Sequence, residues 1–411
     1  MTRAKRRSSR SKKGNQGGTQ QNRPKAVATA SPAKDKKTPT SPAPAAKPKG
    51  TEAKGAAPRA TGSPKPATAK TADLGGAVRL PDAVAAPRHD HVTEDGIRVN
   101  YYVDGPEGGR PLVLIHAVNA APSAYELKPL FEHYRATRRV YALDLPGFGF
   151  SERRDRVYSP QFYSGVIADF VRRAIGQPVD AIALSLGGEF TSGAALRHPD
   201  LFATLALISP TGFSKRNLPN GQGPVAKWLH KALSVPLWGG PLFNLLTVRP
   251  SIRYFMSKSF VGRVPDAYIE YAYATAHQPG AHHAPLYFLS GQLFTTAAAG
   301  ELYGKLTQPV LVIRDQDPYV SFERLAELMA DHRNWTEERV VPSRGLPHWE
   351  HLAETAAVLD RFWAAHGTQP APEPEPEPEP APEPAPEQAP EPAAVAEAPI
   401  EPTPADPERA S

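Results

Sequence analysis

Five short apolar runs, separated by longer amphipathic stretches, set the strongest limit on what this chain can fold into. They are PLVLIHAV (111–118), RVYALDLPGFG (139–149), VDAIALSLGG (179–188), ATLALISPTG (203–212) and QPVLVIRDQD (308–317). Continuous apolar character, without alternation, indicates strands that are buried on both faces of a parallel sheet. Apolar spacing between the runs predicts helices over 124–138, 159–175, 321–332 and 351–366, and RVVP (339–342) is predicted as the last strand. The pattern therefore predicts an α/β fold, a mostly parallel sheet flanked by helices.

One long segment, about residues 213–305, interrupts this alternation. It is predicted to be mostly helical and rich in aromatic residues, and it falls between two predicted strands. We therefore expect a helical cap inserted into the sheet domain. Its large apolar side chains either line an apolar substrate pocket, with Trp228 and Trp238 as the first candidates, or pack the cap onto the core. They are Trp228, Leu233, Trp238, Phe243, Tyr254, Phe255 and Phe260.

The two ends of the chain differ from the rest in composition and are predicted to be disordered tails. Residues 1–75 have 18 Lys and Arg against 3 Asp and Glu and no aromatic residue. They cannot bury enough apolar surface to offset the entropy of ordering. Residues 367–411 form an acidic Pro-Glu tract with 11 acids and one Arg, which is typical of an extended chain. Every aromatic residue and histidine lies between these ends, so the sequence predicts one globular domain over 76–366.

The net charge of +6 comes from the ends, which contribute +15 and −10 and leave the domain nearly neutral. The charge therefore does not predict a nucleic-acid-binding domain. Contact of the basic end with nucleic acid or an anionic membrane would be weak and non-specific. The sequence has no cysteine, no secretory leader pattern and no apolar run of about 18 residues. The expected location is cytoplasmic, or peripheral at a membrane.

A candidate nucleophilic serine lies in Ala183-Leu184-Ser185-Leu186-Gly187, where a predicted buried strand ends and a helix begins. A serine hydroxyl is a weak nucleophile unless a base and oxyanion donors are held beside it. A sharp strand-to-helix turn presents the oxygen and points backbone N–H groups at the same place. Small residues at 183 and 187 let the neighbouring backbones approach. These residues alone leave open an ordinary serine at a strand-to-helix turn.

The turn resembles the G-x-S-x-G nucleophile turn of the α/β-hydrolases, with Ala183 in place of the first Gly. Asp144-Leu145-Pro146-Gly147-Phe148-Gly149-Phe150-Ser151 is similar to the family's D-x-P-G-x-G-x-S loop, whose role is structural. The resemblance spans about residues 90–366. It implies an eight-stranded type of α/β-hydrolase sheet and a triad in the chain order nucleophile, acid, histidine.

The resemblance implies that Ser185 is the nucleophile, Asp317 the orienting acid and His348 the general base. Asp317 ends a strand-to-loop segment similar to the family's acid loop, with Asp315 as the alternative acid. GLPHWEHLAETAAVLDRFW resembles the family's histidine loop and last helix, and its alignment favours His348 over His351.

The resemblance also implies an oxyanion hole formed by the backbone N–H groups of Val118 and Leu186, because His116-Ala117 resembles the family's His-Gly step. His116 itself is expected to be structural. Asn119 either contacts substrate or caps the following helix.

These residues together predict a serine hydrolase that cleaves a carboxylic ester of a small, apolar substrate through an acyl-serine intermediate. An amide, a thioester or a carbon–carbon bond is the other expected target. Serine at the nucleophile position argues against the dehalogenase and epoxide-hydrolase branches, which resemble this chain but use Asp there. No cofactor or metal is expected, since His282-His283 lacks a third ligand at suitable spacing. The alternatives are a binding protein on the same scaffold and a tail-driven protein associated with nucleic acid or anionic membrane.

Overall fold

The computed structural model describes residues 78–215, 223–235 and 239–367. The predicted tails, apart from Gly367, and Trp238 lie outside the described residues. The described residues form an eight-stranded sheet in the order β1-β2-β4-β3-β5-β6-β7-β8. The strands are β1 Arg88–Val92, β2 Arg98–Asp104, β3 Leu112–Ile115, β4 Val140–Asp144, β5 Val179–Leu184, β6 Phe202–Ile208, β7 Val310–Arg314 and β8 Trp335–Arg339.

Helices alternate with the parallel strands and fill the long segment between β6 and β7. They are α1 Lys128–Tyr134, α2 Pro160–Phe170, α3 Leu186–Arg197, α4 Pro224–Leu233, α5 Gly239–Leu246, α6 Arg249–Met256, α7 Asp266–Ala276, α8 His283–Leu289, α9 Ala298–Glu301, α10 Leu325–Asp331, α11 Pro347–Glu350 and α12 Leu352–Ala365. The predicted inserted cap is therefore confirmed, and α4 to α8 form it. None of the described helices is long and apolar enough to cross a membrane.

The sheet is mostly parallel, as predicted. Strands β3 to β8 pair in parallel, whereas β2 pairs antiparallel with both β1 and β4. The antiparallel pair at the N-terminal edge was not predicted. Its first strand, RHDHV, is polar and largely exposed, so it lacks the apolar run that marks the central strands.

The opposite edge of the sheet corrects one prediction. RVVP (339–342) was expected to be the last strand, but β8 occupies Trp335–Arg339 instead. Strand β8 has the sequence WTEER, of which only Trp335 is buried. An edge strand pairs on one side only, so its backbone forms a ladder while its side chains stay polar and face water. The apolar residues that follow it were mistaken for the strand.

Successive residues of each central strand face opposite sides of the sheet. In β3, Val113 and Ile115 belong to the buried cluster that includes residues of α2, α3 and α10, whereas Leu112 and Leu114 belong to the cluster on the other face, with residues of α1, α7 and α12. In β5, the small residues Ala181 and Ala183 face the first of these sides. Small side chains there allow α3 to approach the strand from which it continues. Packing on both sides fixes the carboxyl ends of the strands, where the candidate site lies.

Candidate active site

Ser185 is the single residue between β5, which ends at Leu184, and α3, which begins at Leu186. Its backbone has φ 51° and ψ −120°, a left-handed conformation that non-glycine residues rarely adopt. Two hydrogen bonds hold the conformation: the Ser185 N–H donates to Ile208 O at 2.9 Å, and the Ser185 carbonyl accepts from Gly188 N at 3.0 Å. The side chain is partly buried. The structure thus forms the sharp turn that the sequence predicts.

Gly187 makes the turn sterically feasible. A Cβ at this position would collide with the carbonyl oxygen of His116. The absence of a side chain brings the first turn of α3 against the loop that follows β3. The predicted need for a small residue at 187 is therefore met by a specific backbone contact.

His116 has a structural role. Its ring is fully buried, its Nε2 accepts from Leu145 N at 2.9 Å, and its Nδ1 lies 2.5 Å from Ala117 O. A ring that accepts at one nitrogen and donates at the other is neutral. Burial lowers the pKa of His116 to about 4, consistent with that state. This ring joins the loop after β3 to the Asp144–Ser151 loop.

The backbone N–H groups of Val118 and Leu186 belong to the two segments that His116 and Gly187 bring together. Leu186 opens α3, and the first N–H groups of a helix have no partner within it. The preceding N–H in the other segment, that of Ala117, donates to Glu126 Oε2 at 2.9 Å. Among the described residues, neither Val118 N nor Leu186 N has a hydrogen bond. Both donors are therefore available to an oxyanion.

The two candidate acids differ clearly in their contacts. Asp315 forms an ion pair with Arg339 and accepts from Ser343 N at 3.0 Å, and these partners lower its pKa against the effect of burial. Asp317 accepts from Tyr319 N at 2.8 Å and Val320 N at 3.1 Å through one oxygen, Oδ1. Both carboxylate oxygens of Asp315 therefore bind residues of β8 or of the segment that follows it.

The second oxygen of Asp317 faces the histidine loop. A Cβ on Gly345, three residues before His348, would lie 2.6 Å from Asp317 Oδ2 and 3.8 Å from Ser209 Oγ. Burial raises the pKa of Asp317, and the hydrogen bonds to its oxygens offset part of that rise. Ser209 follows β6 directly, next to the backbone that accepts from Ser185. The acid therefore lies at the same edge of the sheet as the serine turn.

His348 is fully buried in α11 and does not contact the other two triad candidates through a hydrogen bond among the described residues. Its Nε2 lies 2.8 Å from Glu126 O, and its Nδ1 has no partner among those residues. A carbonyl only accepts, so Nε2 carries the proton. Burial lowers the pKa of His348 to about 4. The ring is therefore neutral, with a free lone pair on Nδ1.

His351, the competing histidine, lies at the start of α12. Its carbonyl accepts from Thr355 N at 2.9 Å and from Thr355 Oγ1 at 2.8 Å. These contacts are those of a residue that begins a helix. The ring is partly buried, unlike the fully enclosed ring of His348.

Glu126 connects the loop after β3 to the histidine loop, a role that no sequence pattern predicted. Its Oε2 accepts from Ala117 N, its Oε1 accepts from Asn119 Nδ2 at 2.9 Å and Tyr268 OH at 3.4 Å, and its carbonyl accepts from His348 and Trp349. The sequence Ser123-x-x-Glu126 is the signature of a helix capping box. Here the carboxylate instead reaches back to the loop after β3. Burial raises its pKa to about 7.

The pocket candidates have different surroundings. Asn119 donates to the Glu126 carboxylate and accepts from Ala121 N at 2.8 Å, whereas Ser123 is the N-cap of the helical turn that follows. Trp228 lies on α4 with 68% of its side chain exposed. Among the cap residues, Phe243 is buried with Ala276 and Ala281 and packs against Ala120 and Ala121 of the same loop. The cap thus contacts the candidate site through α5 and α7.

His282 and His283 lie in the cap, where their rings are 4.1 Å apart and His283 Nδ1 is 3.7 Å from Asp155. Within residues 78–215, 223–235 and 239–367, no three His, Asp or Glu side chains are grouped so that they could hold a metal ion.

Comparison with known proteins agrees with this geometry. Residues 112–358 match the family described as "Alpha/beta hydrolase family". An uncharacterized hydrolase, YugF, of Bacillus subtilis is 30% identical over 128 residues, which are 31% of this chain and 46% of that protein. A 2-hydroxymuconate semialdehyde hydrolase of a Pseudomonas species is 30% identical over 135 residues, which are 32% of this chain and 46% of that protein. The matched region thus spans about half the length of these relatives.

Solved structures share the fold over a longer range. The CarC serine hydrolase involved in carbazole degradation superposes with a TM-score of 0.56 at 19% identity, over 68% of this chain and 100% of CarC. The CumD meta-cleavage product hydrolase superposes with a TM-score of 0.53 at 17% identity, over 67% of this chain and 98% of CumD. The sheet, the serine turn and a family match that covers more than half of the sequence lead to one conclusion: this chain belongs to the alpha/beta hydrolase family.

Proposed function

We propose that this protein is a serine hydrolase that cleaves a carboxylic ester of a small, apolar substrate through an acyl intermediate on Ser185. The observation that carries the proposal is the left-handed backbone of Ser185 at the carboxyl end of β5. Strain of this kind persists only where the surrounding structure enforces it, and it is concentrated at functional sites. Ordinary N-cap serines adopt extended backbone conformations at no such cost.

In the proposed reaction the Ser185 oxygen attacks the ester carbonyl while His348 accepts its proton. The N–H groups of Val118 and Leu186 stabilise the negative oxygen, and each such donor contributes about 3 kcal/mol. Collapse breaks the bond to the alcohol, which leaves with the proton from His348. Water then attacks the acyl-serine, His348 again transfers the proton, and the carboxylic acid is released.

His348 must change its hydrogen bonds for this reaction. Its proton is on Nε2, bound to Glu126 O, whereas a general base needs a free Nε2 lone pair and an Nδ1–H that donates to Asp317. Release from the Glu126 carbonyl, transfer of the Nε2 proton to solvent water and uptake of a proton from water at Nδ1 supply both. Asp317 would then fix the new tautomer, because its Oδ2 faces the loop that carries the histidine. We expect this change when substrate binds, since catalytic hydrogen bonds often reach their final geometry only in the complex with substrate.

Labelling with a fluorophosphonate probe followed by peptide mapping tests the nucleophile directly. The parent protein should be labelled at Ser185, and Ser185→Ala should lose both labelling and hydrolysis of short-chain p-nitrophenyl esters. The loss of turnover should be roughly 10³-fold or more, since removal of a nucleophile leaves only binding and the oxyanion hole. A parent protein that neither labels nor turns over any ester would be a binding protein on this scaffold instead.

The two neighbouring aspartates provide a matched pair for the acid. Asp317→Asn should lower turnover by roughly 10⁴-fold, because an amide stabilises the wrong histidine tautomer. Asp315→Asn should mainly lower the free energy of unfolding, since it loses its ion pair with Arg339. The reverse result, with activity lost only in the Asp315 variant, would move the acid to that residue. A parallel comparison of His348→Ala with His351→Ala decides between the two histidines.

A second candidate reaction is cleavage of a carbon–carbon bond. It is favoured by the similarity to the 2-hydroxymuconate semialdehyde hydrolase. That compound has no ester, so its hydrolysis requires a carbon–carbon bond to break. Turnover of 2-hydroxymuconate semialdehyde, followed by loss of its absorbance and compared with p-nitrophenyl esters at equal enzyme concentration, separates the two reactions.

A further inference from the structure

The first part of the cap has an unusually one-sided charge. From residue 213 to 265 the sequence contains no Asp or Glu and eight Lys and Arg: Lys215, Arg216, Lys227, Lys231, Arg249, Arg253, Lys258 and Arg263. Some of these charges are neutralised by α7, where Arg249 pairs with Glu270 and Arg253 with Asp266. Lys227, Lys231 and Lys258 form no ion pair with the described residues. These three lysines are exposed, so the described part of the segment carries positive charge that no acidic side chain there neutralises.

The same part of the cap carries most of the large apolar side chains that the described residues expose. Thirteen such side chains are exposed among the described residues, and eight of them lie in one stretch of the chain, between residues 225 and 261. They are Val225, Trp228, Leu242, Leu245, Val248, Tyr254, Phe255 and Val261. Single exposed apolar residues are normal on a protein surface, whereas a concentration of them indicates an interaction site. We call these eight residues, with Lys227, Lys231 and Lys258, the cap patch.

Packing of the cap cannot account for these side chains, because each helix also has a separate buried residue. In α4, Ala226 is buried while Val225 and Trp228, three positions apart, are 69% and 68% exposed. In α5, Phe243 is buried while Leu245 is 66% exposed. Helix α6 likewise buries Ile252. These helices are attached to the domain on one side and apolar on another.

We propose that the cap patch docks the protein on a membrane surface that carries anionic lipid headgroups. Apolar and aromatic side chains enter the boundary of headgroups and acyl chains, while Lys227 and Lys231 on α4 and Lys258 after α6 contact the anionic headgroups. Tryptophan and tyrosine, both present in the patch, favour this boundary. Docking is peripheral, since no described helix is long and apolar enough to cross the bilayer. The proposal concerns binding and does not depend on the proposed reaction.

The chemistry of the patch favours lipid over the acidic end of the same chain. The Pro-Glu tract could neutralise the lysines, but between 367 and 411 its only larger aliphatic side chains are Val395 and Ile400. It therefore offers little to cover the exposed leucine, valine and tryptophan side chains. A bilayer supplies both the negative charge and the hydrocarbon.

Co-sedimentation of the full chain with phosphatidylcholine vesicles, with and without phosphatidylglycerol, tests the proposal. The parent should bind the anionic vesicles and bind the neutral ones more weakly. Trp228→Ala combined with Leu245→Ala should lower the partition coefficient at least roughly tenfold, and so should Lys227→Glu combined with Lys231→Glu. Val92→Ala, at a side chain 55% exposed on the edge strand β1, and Arg333→Glu are the matched controls and should bind like the parent.

A second measurement reports the position of the side chain independently of affinity. Lipids brominated on their acyl chains should quench tryptophan fluorescence of the parent and lose most of this effect with Trp228→Ala. Equal binding of all variants would overturn the proposal and assign any binding to the basic N-terminal end. No binding to either vesicle would overturn it as well. Conversion of a parent dimer to a monomer by the patch substitutions, measured by light scattering, would instead make this face a contact between two copies.

Discussion

The carboxyl group of Glu126 is buried at the centre of the site, and its ionisation should make the stability of the protein depend on pH. Burial raises its pKa from 4.5 to about 7. An acid whose pKa is raised on folding keeps its proton in the native state while the unfolded chain has already lost it. The free energy of unfolding therefore falls as pH rises from the unfolded pKa to the folded one. The penalty is complete above about pH 7.

Glu126→Gln removes this ionisation, so the variant should become more stable relative to the parent as pH rises. At about 1.4 kcal/mol per pKa unit, the difference in unfolding free energy between variant and parent should change by about 2 to 3 kcal/mol from near pH 5 to about pH 8. The glutamine also places an amide NH₂ either against Ala117 N or against Asn119 Nδ2 and Tyr268 OH, all of which donate to the carboxylate of the parent. That mismatch costs about 1 to 3 kcal/mol and does not depend on pH.

Thermal unfolding followed by circular dichroism at both pH values measures this effect. The difference in Tm between variant and parent should change by roughly 5 to 10 °C, since about 1 kcal/mol corresponds to 2 to 4 °C in a domain of this size. Glu107→Gln makes the same charge change at a side chain that is 89% exposed, and its difference should stay constant. If the difference in Tm from the parent is the same at both pH values for the Glu126 variant as well as for the Glu107 variant, the burial argument for Glu126 is wrong.

Three further substitutions test other contacts. Gly187→Ala should lower the free energy of unfolding by about 1 to 3 kcal/mol and slow fluorophosphonate labelling, because the new methyl collides with His116 O. Asp180→Asn should cost about 3 to 5 kcal/mol in urea unfolding, since it leaves the buried guanidinium of Arg138 without its charged partner, now 2.6 Å away. Phe190→Ala, which removes a fully buried ring of α3, should cost about 3 to 5 kcal/mol in the same assay. A loss below about 1 kcal/mol for either of the last two would contradict the packing described.

The central part of the fold was predictable because burial on both faces leaves a continuous apolar run in the sequence. Strands β3 to β7 coincide with the five runs, except that β6 begins one residue earlier, at Phe202, and the serine turn was found where one run meets small residues. The edge strands β1 and β8, and β2 beside β1, were missed or displaced. The ladders of β1 and β8 come from backbone pairing with one neighbour, which their polar side chains do not reveal.

The contacts within the site were harder to predict than its residues. The bond between His348 and Glu126 joins residues 222 positions apart, and no local pattern specifies such a contact. The Ser-x-x-Glu sequence around Glu126 even favoured a different, local partner. Which nitrogen of His348 carries its proton follows from that bond, so the tautomer could not be known from the sequence. The catalytic roles of Ser185, Asp317 and His348 stay predictions until they are measured.

The cap begins after β6 and the chain returns to β7, and these two strands are direct neighbours in the sheet. Residues 298–306 pack on the sheet face as the return path. A shorter cap, a longer one or one from a relative could therefore replace residues between them with no change of strand register. Exchange of caps between such proteins would show which binding properties depend on the inserted segment. Evolution can change those properties without any change in the serine turn.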